Sequence, residues 1–315
     1  MHTSRPLATG WRAVAVVVAF ALLGACGAGE RTSPADPAAA PEDRKQPFVI
    51  GAIPDQDPEK LQRLYATVAG YLAGRLGVPV EYRPVTDYTA SVSLFRAGDL
   101  DMVWFGGLTG VQARLQVPGA RAIAQRDVDE AFHSVFVANT STGIRPFSSP
   151  EGLQQFAGRR FTFGSESSTS GRLMPEYFLG QAGVGIDDFA GPPGFSGSHD
   201  KTIALVESGT FEAGVLNEQV WAARTGAGQV DERKVVAVYR TPPYHDYHWV
   251  IRPDVAERYG AAFVGEVTRA LLDLDPADAE AKAILDLFGA RRFIPTEDAN
   301  YRQIEDVARR IGLVR

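Results

Sequence analysis

Short runs of β-branched and aromatic residues alternate with longer amphipathic stretches over most of the chain, beginning at Pro47. The apolar run 48–53 predicts a buried strand, and the apolar residues that follow over 58–74 recur at helical spacing. Asp57-Pro58 is a typical helix start, because an aspartate caps the first amides and a proline needs no donor there. This alternation predicts an α/β fold whose sheets are mostly parallel.

A second unit of the same kind begins near residue 160, and the chain from about Pro253 onward is mainly helical. Two α/β units followed by helices predict two lobes with a cleft between them, where ligands tend to bind. We expect two strands to cross between the lobes at a hinge, near 135–139 and 244–250. The predicted lobe one is 47–138 plus 246–315, and the predicted lobe two is 139–245.

The longest apolar run of the sequence lies at its N-terminus. Arg5 and Arg12 precede the apolar residues 13–23, which are too few to span a bilayer and are typical of a signal peptide. The run leads into Leu-Gly-Ala-Cys26, and Cys26 is the only cysteine of the chain. This segment resembles the lipobox of bacterial lipoproteins, in which the cysteine is acylated. We therefore expect a signal peptide over 1–25 and lipid attachment at Cys26.

The next segment, 26–46, is rich in alanine, proline and charged residues and shows no hydrophobic period. Such a composition predicts a flexible tether. We therefore expect the protein to lie outside the cytoplasmic membrane, held to it by an N-terminal lipid.

The composition excludes several classes of protein. Hydrophobic residues make up 45% and charged residues 22% of the 315 residues, which is enough for a sizeable core. One cysteine excludes a disulfide-rich scaffold, and a single long apolar run excludes a membrane protein with several spans. The net charge of −6 disfavours a nucleic-acid binder.

Hydroxyl residues are concentrated at one predicted strand-to-helix junction. Gly164 ends a strand, and the hydroxyl residues 167–170 precede a predicted helix. The free amides of a helix start attract anions, and the hydroxyls of Ser168, Thr169 and Ser170 add neutral donors there. Neutral donors suit a tetrahedral oxyanion that has to be released again. An ordinary helix cap with spare serines is the alternative.

Three more segments place polar or aromatic side chains near the predicted cleft. His199 lies in the segment 197–201, which opens a helix, and Tyr88 lies at another predicted helix start. Tyr244 and Asp246 belong to the stretch PPYHDYHW, which leads from the second lobe back to the first. Helix capping and core packing are the alternative roles for these residues.

The sequence lacks the motifs of common enzyme classes. There is no G-x-S-x-G, Walker A, G-x-G-x-x-G or H-E-x-x-H motif. His245 and His248 are three residues apart and would face opposite sides of a strand, which disfavours a shared metal site. The hydroxyl and aromatic residues therefore indicate a binding site, without cofactor or metal, rather than a reaction centre.

Together these segments resemble the substrate-binding lipoproteins of phosphonate-type ABC importers, which have the type II periplasmic-binding-protein fold. The resemblance implies a protein without catalytic activity that closes over an oxyanion and delivers it to a permease. It extends in order through nearly all of the chain after the tether and rests on GAIPDQDPEKL (51–61), PVTDYTASV (84–92), DLDMVWFGGLTGVQAR (99–114), FGSESSTSGRLMP (163–175), GSHDKT (197–202), AGVLNEQVW (213–221) and PPYHDYHW (242–249).

By position in these stretches, the resemblance implies that the anion is held by Ser168, Thr169 and Ser170. It also implies that the cleft is lined by Tyr88, His199 and Asp246, with Trp104, Glu218 and Tyr244 close to it. A carboxylate beside an anion is unfavourable unless it contacts an amine or a proton of the ligand. Asp246 or Glu218 would therefore favour a protonated ligand over a fully ionised one.

The resemblance leaves several ligands open. Aminoalkylphosphonate binders of this family have a tyrosine before the strand that enters lobe two, whereas this chain reads DEAFHS at 129–134. Residues 122–136, together with PPYHDYHW, are closer to a subgroup labelled as selenate binders. Phosphonate, phosphite, phosphate and selenate are therefore all candidate ligands.

The expected partners are the oxyanion, the permease and ATPase subunits of an importer, and the membrane through the lipid anchor. No nucleic-acid partner is expected, and the chain is expected to be a monomer. A ligand-sensing lipoprotein that signals to a membrane kinase is an alternative with the same fold. An extracellular phosphoester hydrolase is a further alternative, but it would need an activated nucleophile or a metal cluster, which the sequence does not offer.

Overall fold

The structure, a computed structural model, describes residues 46–315. The predicted signal peptide, Cys26 and nearly all of the predicted tether lie outside the described residues. Within 46–315, no helix combines the length and the apolar character that crossing a membrane requires.

The first lobe begins with strands that alternate with helices. Its first elements are β1 (Phe48–Ala52), α1 (Pro58–Leu76), β2 (Val80–Tyr82), α2 (Tyr88–Ala97), β3 (Met102–Phe105), α3 (Gly107–Gln116) and β4 (Arg121–Arg126). The Asp57 carboxylate caps α1 by accepting a hydrogen bond from the backbone N–H of Lys60 at 3.0 Å. Gly77 ends this helix with a φ of 67°, a conformation that favours glycine. The predicted alternation of strands and helices is confirmed from β1 to β3, whereas α3 and β4 are elements that the sequence pattern did not predict.

The chain then builds a second lobe. Its elements are β5 (Ser134–Asn139), β6 (Phe161–Phe163), α4 (Met174–Gln181), β7 (Gly194–Phe195), α5 (His199–Glu207), β8 (Ala213–Asn217), α6 (Glu218–Gly226) and β9 (Val235–Arg240). A π-helical turn, Thr169–Leu173, leads directly into α4. The hydroxyl residues therefore lie at a helix start, as the sequence predicts.

The chain finally returns to the first lobe. It adds β10 (His248–Ile251), α7 (Val255–Tyr259), α8 (Phe263–Leu272), α9 (Ala279–Phe288), β11 (Phe293–Pro295) and α10 (Arg302–Arg310). The first sheet has the strand order β11-β4-β10-β3-β1-β2, and the second has the order β7-β6-β8-β5-β9. The two sheets with their flanking helices confirm the predicted two-lobed α/β fold.

Both sheets are mixed, and the expectation of mostly parallel strands is corrected here. β1 pairs in parallel with β2 and β3, and β6 pairs in parallel with β7 and β8. β5 and β10, which follow the two crossings between the lobes, are inserted antiparallel to both of their neighbours. A strand that enters a sheet from the hinge runs against the parallel units beside it.

Two segments, 127–133 and 241–247, cross between the lobes. They touch through an antiparallel bridge in which Phe132 and Tyr244 exchange backbone hydrogen bonds of 2.8 and 3.0 Å. β5 pairs with β8 and β9 along its length, so it belongs wholly to the second lobe. The predicted boundary after residue 138 thus falls at the far end of β5 instead of before it, because an apolar strand pattern does not reveal which sheet accepts the strand.

Apolar side chains from the second lobe also pack into the core of the first. Leu173 and Met174, at the end of the π-turn and the start of α4, join the core cluster that contains Ile304 and Val307 of α10. Burial of apolar surface stabilises by roughly 25 cal/mol for each Å² removed from water. The segment that carries the hydroxyl residues is therefore held against the first lobe by apolar contact.

An ion pair is buried near the hinge, and removal of one of its partners should be strongly destabilising. Arg126 donates to both oxygens of Asp129, at 2.7 and 2.6 Å, and the Asp129 side chain is fully buried. Replacing Asp129 with alanine leaves the Arg126 charge buried without its partner, and the free energy of unfolding should fall by about 3–5 kcal/mol. Denaturant unfolding measures this loss.

The matched control is Asp286→Ala, which breaks an exposed pair with Lys282 within one helix. Such pairs contribute little, so we expect a change within about 0.5 kcal/mol. Equal, small losses for the two variants would contradict the view that Asp129 is the required counter-charge of Arg126.

Candidate ligand-binding site

The hydroxyl segment is shaped by two glycines that let the backbone approach itself closely. Gly164 N–H donates to Gly171 C=O at 2.8 Å, and a Cβ on Gly171 would lie 3.0 Å from the Gly164 Cα. Ser168 caps the turn by accepting a hydrogen bond from Gly171 N–H at 2.9 Å. Ser168, Thr169 and Ser170 are all buried as a result.

Polar atoms without hydrogen-bond partners mark this place in the fold. Among the described residues, buried atoms of this kind include the Tyr88 hydroxyl, the Ser170 hydroxyl and the Asp246 Oδ2. Burial raises the pKa of the Tyr88 hydroxyl well above its usual value, and the charge of Asp55 raises it further. The neighbouring Ser168 hydroxyl acts in the opposite direction, and the charge of Asp246 adds a smaller increase, so the Tyr88 hydroxyl lies near these groups. A buried polar group left unpaired costs about 1–3 kcal/mol, so a cluster of them indicates a ligand that would pair with them.

α3 belongs to the first lobe, and the backbone N–H groups at its N-terminus bind two side chains of the site. Gly107 N–H donates to Asp246 Oδ1 and Leu108 N–H donates to Thr169 Oγ1, each at 2.9 Å. A Cβ on Gly106 would lie 3.2 Å from both accepting oxygens, so glycine leaves room for them. α3 has no side-chain cap of its own and receives both caps from other parts of the chain. The Thr169 bond joins the lobes directly, and the Asp246 bond leaves Oδ2 for another partner.

The Asp246 carboxyl is a weaker acid than an ordinary aspartate. Its pKa is raised to about 7 in total. Burial makes the largest contribution, the bond from Gly107 N–H acts in the opposite direction, and the charge of Asp129 adds to the increase. Near neutral pH this group can therefore either accept a hydrogen bond or hold a proton. The carboxyl can therefore accept a hydrogen bond from a protonated ligand or donate one to an ionised ligand.

His199 lies at the start of α5 and is fully buried. Asn217 N–H donates to its Nδ1 at 3.4 Å, so the proton of the neutral ring belongs on Nε2, which faces the Tyr247 hydroxyl at 3.3 Å. Burial lowers the pKa of His199 to about 4. The ring is therefore neutral at pH 7, and it brings an N–H group but no charge.

The structure gives the remaining predicted site residues other partners. Trp104 stacks on Tyr247 with ring centroids 5.9 Å apart and packs within the aromatic core of the first lobe. Glu218 forms an ion pair with Arg240, including a bond of 2.9 Å. Ligand contact by Trp104 and Glu218 therefore stays a prediction that these contacts do not support.

Tyr244 contacts the hydroxyl segment indirectly, through Ser134. Its hydroxyl lies 2.6 Å from Ser134 Oγ, which in turn donates to Ser170 C=O at 2.8 Å. The structure thus connects Tyr244 to the predicted anion-binding residues through Ser134. A direct contact between Tyr244 and a ligand stays a prediction.

Sequence reasoning missed two residues that the structure places beside this site. Tyr247 donates to Asp55 Oδ2 at 2.8 Å, and both side chains are buried. Tyr247 lies within PPYHDYHW, next to the predicted site residue Asp246. Asp55 lies three residues after the end of β1, and a carboxylate near the carboxyl end of a parallel strand was the available signal.

Comparison with known proteins assigns the family. A family model described as the periplasmic substrate-binding protein of phosphonate ABC transporters matches residues 50–301. The chain belongs to this family. The resemblance seen in the sequence is therefore confirmed, and the chain is the substrate-binding component of an ABC importer.

The relatives extend over most of the chain. A probable ABC transporter phosphite binding protein, PhnD1 of Prochlorococcus marinus (strain MIT 9301), is 49% identical over 267 residues, or 84% of this chain and 90% of the relative. The structure of PhnD1 from that organism in complex with methylphosphonate matches with a TM-score of 0.83 and 47% identity, covering 86% of this chain and 100% of that one. A binding protein of an ABC phosphonate transporter from Pseudomonas aeruginosa shares the fold, with a TM-score of 0.72, 18% identity and coverage of 83% and 85%.

Family membership also settles the setting in which the protein works. A periplasmic substrate-binding protein lies outside the cytoplasmic membrane and delivers a small ligand to permease and ATPase subunits. The relatives are transport proteins rather than enzymes. Within the described part of the chain, no group of three or more His, Cys, Asp and Glu residues could hold a metal ion.

The neutral state of His199 can be tested by NMR. The ring C–H resonances of His199 should titrate near pH 4, well below the ordinary value of 6.5, because burial disfavours the charged ring. As the pH falls, the unfolded chain binds this proton before the folded chain does. The contribution of His199 therefore lowers the free energy of unfolding progressively from about pH 6.5 to about pH 4. A His199→Gln variant identifies the resonances by their loss, and titration at the ordinary pH would contradict the assignment.

Proposed function

We propose that the protein binds a small tetrahedral oxyanion of the phosphite, phosphate or methylphosphonate kind between its lobes. The observation that carries this proposal is the cluster of buried, unpartnered atoms on Tyr88, Ser170 and Asp246 beside the hydroxyl segment. Hydroxyl groups that pair with a charged oxygen each contribute about 1.5–3 kcal/mol. The proposed ligand contacts are Ser168, Thr169, Ser170, Tyr88 and Asp246. His199 lies beside them, and its single N–H faces Tyr247 instead of the ligand.

The chemistry of these donors favours a ligand that carries one proton. The hydroxyls of Ser168, Ser170 and Tyr88 donate to ligand oxygens without adding a fixed positive charge. Asp246 Oδ2 accepts a ligand O–H, or donates one when the carboxyl itself is protonated. Two bare charges at this place would repel each other, so the bound pair shares one proton.

The names of the relatives support a ranking of the candidate ligands. PhnD1 is named for phosphite, and its structure contains methylphosphonate. These two ligands therefore come first, and phosphate and selenate are the comparison ligands. Nothing in the described contacts favours selenate over the phosphorus oxyanions.

Binding is proposed to proceed by closure of the two lobes about the segments 127–133 and 241–247. The oxyanion binds first to the hydroxyl segment of the second lobe, and closure then brings Tyr88 and Asp246 onto it. The ligand stabilises the closed state because its contacts to the first lobe exist only there. The lobes in this proposal are 46–133 plus 241–315 and 134–240.

We further propose that the mature protein is a monomer attached to the membrane by a lipid on Cys26, after removal of residues 1–25. The apolar run 13–23, the small residues before Cys26 and the absence of any other cysteine support this proposal. The tether 26–46 would let the two lobes reach the permease from the membrane surface.

Calorimetric titration with a ligand panel tests the proposal. Phosphite, methylphosphonate, phosphate, sulfate and selenate are titrated separately, and at least one of the first two should bind. Ser170→Ala removes one donor to a charged oxygen and should weaken that binding by about 10- to 100-fold.

The matched control is Ser208→Ala, because Ser208 is exposed and its hydroxyl bonds only to neighbours in sequence. This variant should bind like the parent. Absence of heat with every ligand, from protein refolded to remove any ligand carried through purification, would contradict the proposal. Unchanged affinity in Ser170→Ala would remove that residue from the contact set.

A further inference from the structure

The Tyr247 hydroxyl is the meeting point of side chains from both lobes. It donates to Asp55 Oδ2 of the first lobe at 2.8 Å. It also accepts from Asn217 Nδ2 at 3.1 Å and faces His199 Nε2 at 3.3 Å, and both of these residues belong to the second lobe. All four side chains are buried. A backbone bond of 3.0 Å, from His199 N–H to Asp55 C=O, connects the same two parts of the lobes.

The surrounding bonds fix the direction of every hydrogen bond in this group. Asn217 Oδ1 caps α6 by accepting from Gln219 and Val220, so its Nδ2 is the group that faces Tyr247. His199 Nδ1 accepts from Asn217 N–H, so Nε2 carries the proton. The Tyr247 oxygen therefore accepts from the second lobe, and its single proton goes to Asp55.

We infer that Tyr247 is a positioning residue that couples lobe closure to ligand binding, by holding Asp55 of one lobe to Asn217 and His199 of the other. This inference rests on the proposed function, because it assumes a ligand that is released when the lobes open. It assigns to Tyr247 a role distinct from ligand contact. The hydroxyl of Tyr247 keeps His199 in place and makes closure favourable.

Removal of this hydroxyl affects the closed state selectively. In the closed state a Tyr247→Phe change leaves the Asp55 carboxylate and the Asn217 and His199 donors buried without a partner. When the lobes separate, these groups regain water. The closed fraction therefore falls, and the apparent affinity falls with it, although the predicted donors to the ligand are unchanged.

The ring of residue 247 has contacts that keep a phenylalanine in the same place. It stacks on Trp104, lies 5.5 Å from the Phe132 ring centroid, and carries the Arg126 guanidinium at 5.0 Å from its own centroid. These contacts lie on the side of the first lobe and the hinge. A phenylalanine therefore removes the hydroxyl and little else.

Distance measurements between labels on the two lobes test the inference. The full chain with Cys26→Ser has no thiol of its own, so spin labels attach only at Thr86→Cys and Lys201→Cys. Both positions are exposed and line the same cavity of about 330 Å³ between the lobes. Phosphite, or methylphosphonate if it binds more tightly, is added stepwise until the distance stops changing.

In Tyr247→Phe, half-closure should require at least about 10-fold more ligand than in the parent, and the ligand should dissociate faster. The distance at saturation should be the same. Asn217→Asp keeps an oxygen to cap α6 but loses the Nδ2 donor, so it should shift closure in the same direction. Tyr301→Phe is the matched control, because its hydroxyl is buried and bonds to Gln125 within the first lobe.

The possible failures are distinguishable. Closure of Tyr247→Phe at the ligand concentration that closes the parent would overturn the inference and leave the proposed function intact. An equal shift in Tyr301→Phe would show a general loss of stability, and it would also overturn the inference. A parent that closes with neither ligand would contradict the proposed function, and the role of Tyr247 in binding would fall with it.

Discussion

Polar atoms buried away from water need partners, and this requirement governs how the two lobes meet. The second lobe brings Thr169, Asn217 and His199 to the contact, and the first lobe and hinge bring α3 amides, Asp55 and Tyr247. Each of these groups is paired across the contact, as in the Thr169 and Asn217 bonds of 2.9 and 3.1 Å. The Tyr88, Ser170 and Asp246 atoms that stay unpaired are the ones that the proposed oxyanion would pair. Closure of the lobes therefore pairs most of these buried polar groups, and binding of the ligand pairs the rest.

The fold allows these polar groups to pair because it brings short segments of the chain close together. Glycines at 106, 164 and 171 leave room where side chains from other segments, or the backbone itself, come near. The hinge segments 127–133 and 241–247 carry Asp129 and Asp246, so the charges of the site are built on the part of the chain that connects the lobes. The buried pair of Arg126 and Asp129 joins the end of β4 to the first of these segments.

Much of the fold and part of the candidate site could be predicted from the sequence. The parallel units from β1 to β3 and from β6 to β8 carry clear periodicity, and the hydroxyl segment stands out by composition. β4, α3 and β11 were not predicted, because short buried strands and a glycine-rich helix start carry little pattern of their own. The partners of Glu218 and Trp104 depend on contacts between distant segments, which no local pattern reports. Asp55 and Tyr247 escaped notice for the same reason, since 192 positions separate them.

In the proposed complex, neutral donors and Asp246 bury a tetrahedral oxyanion that shares a single proton with the carboxylate. Calorimetry of phosphite binding in buffers of different ionisation enthalpy measures the protons taken up with the ligand. At about pH 8.5 the ligand and most of the Asp246 carboxyl are ionised, since the pKa of that carboxyl is about 7. We expect uptake of about one proton for each ligand bound, and clearly less in Asp246→Asn. Tight binding at this pH without proton uptake in the parent would contradict it.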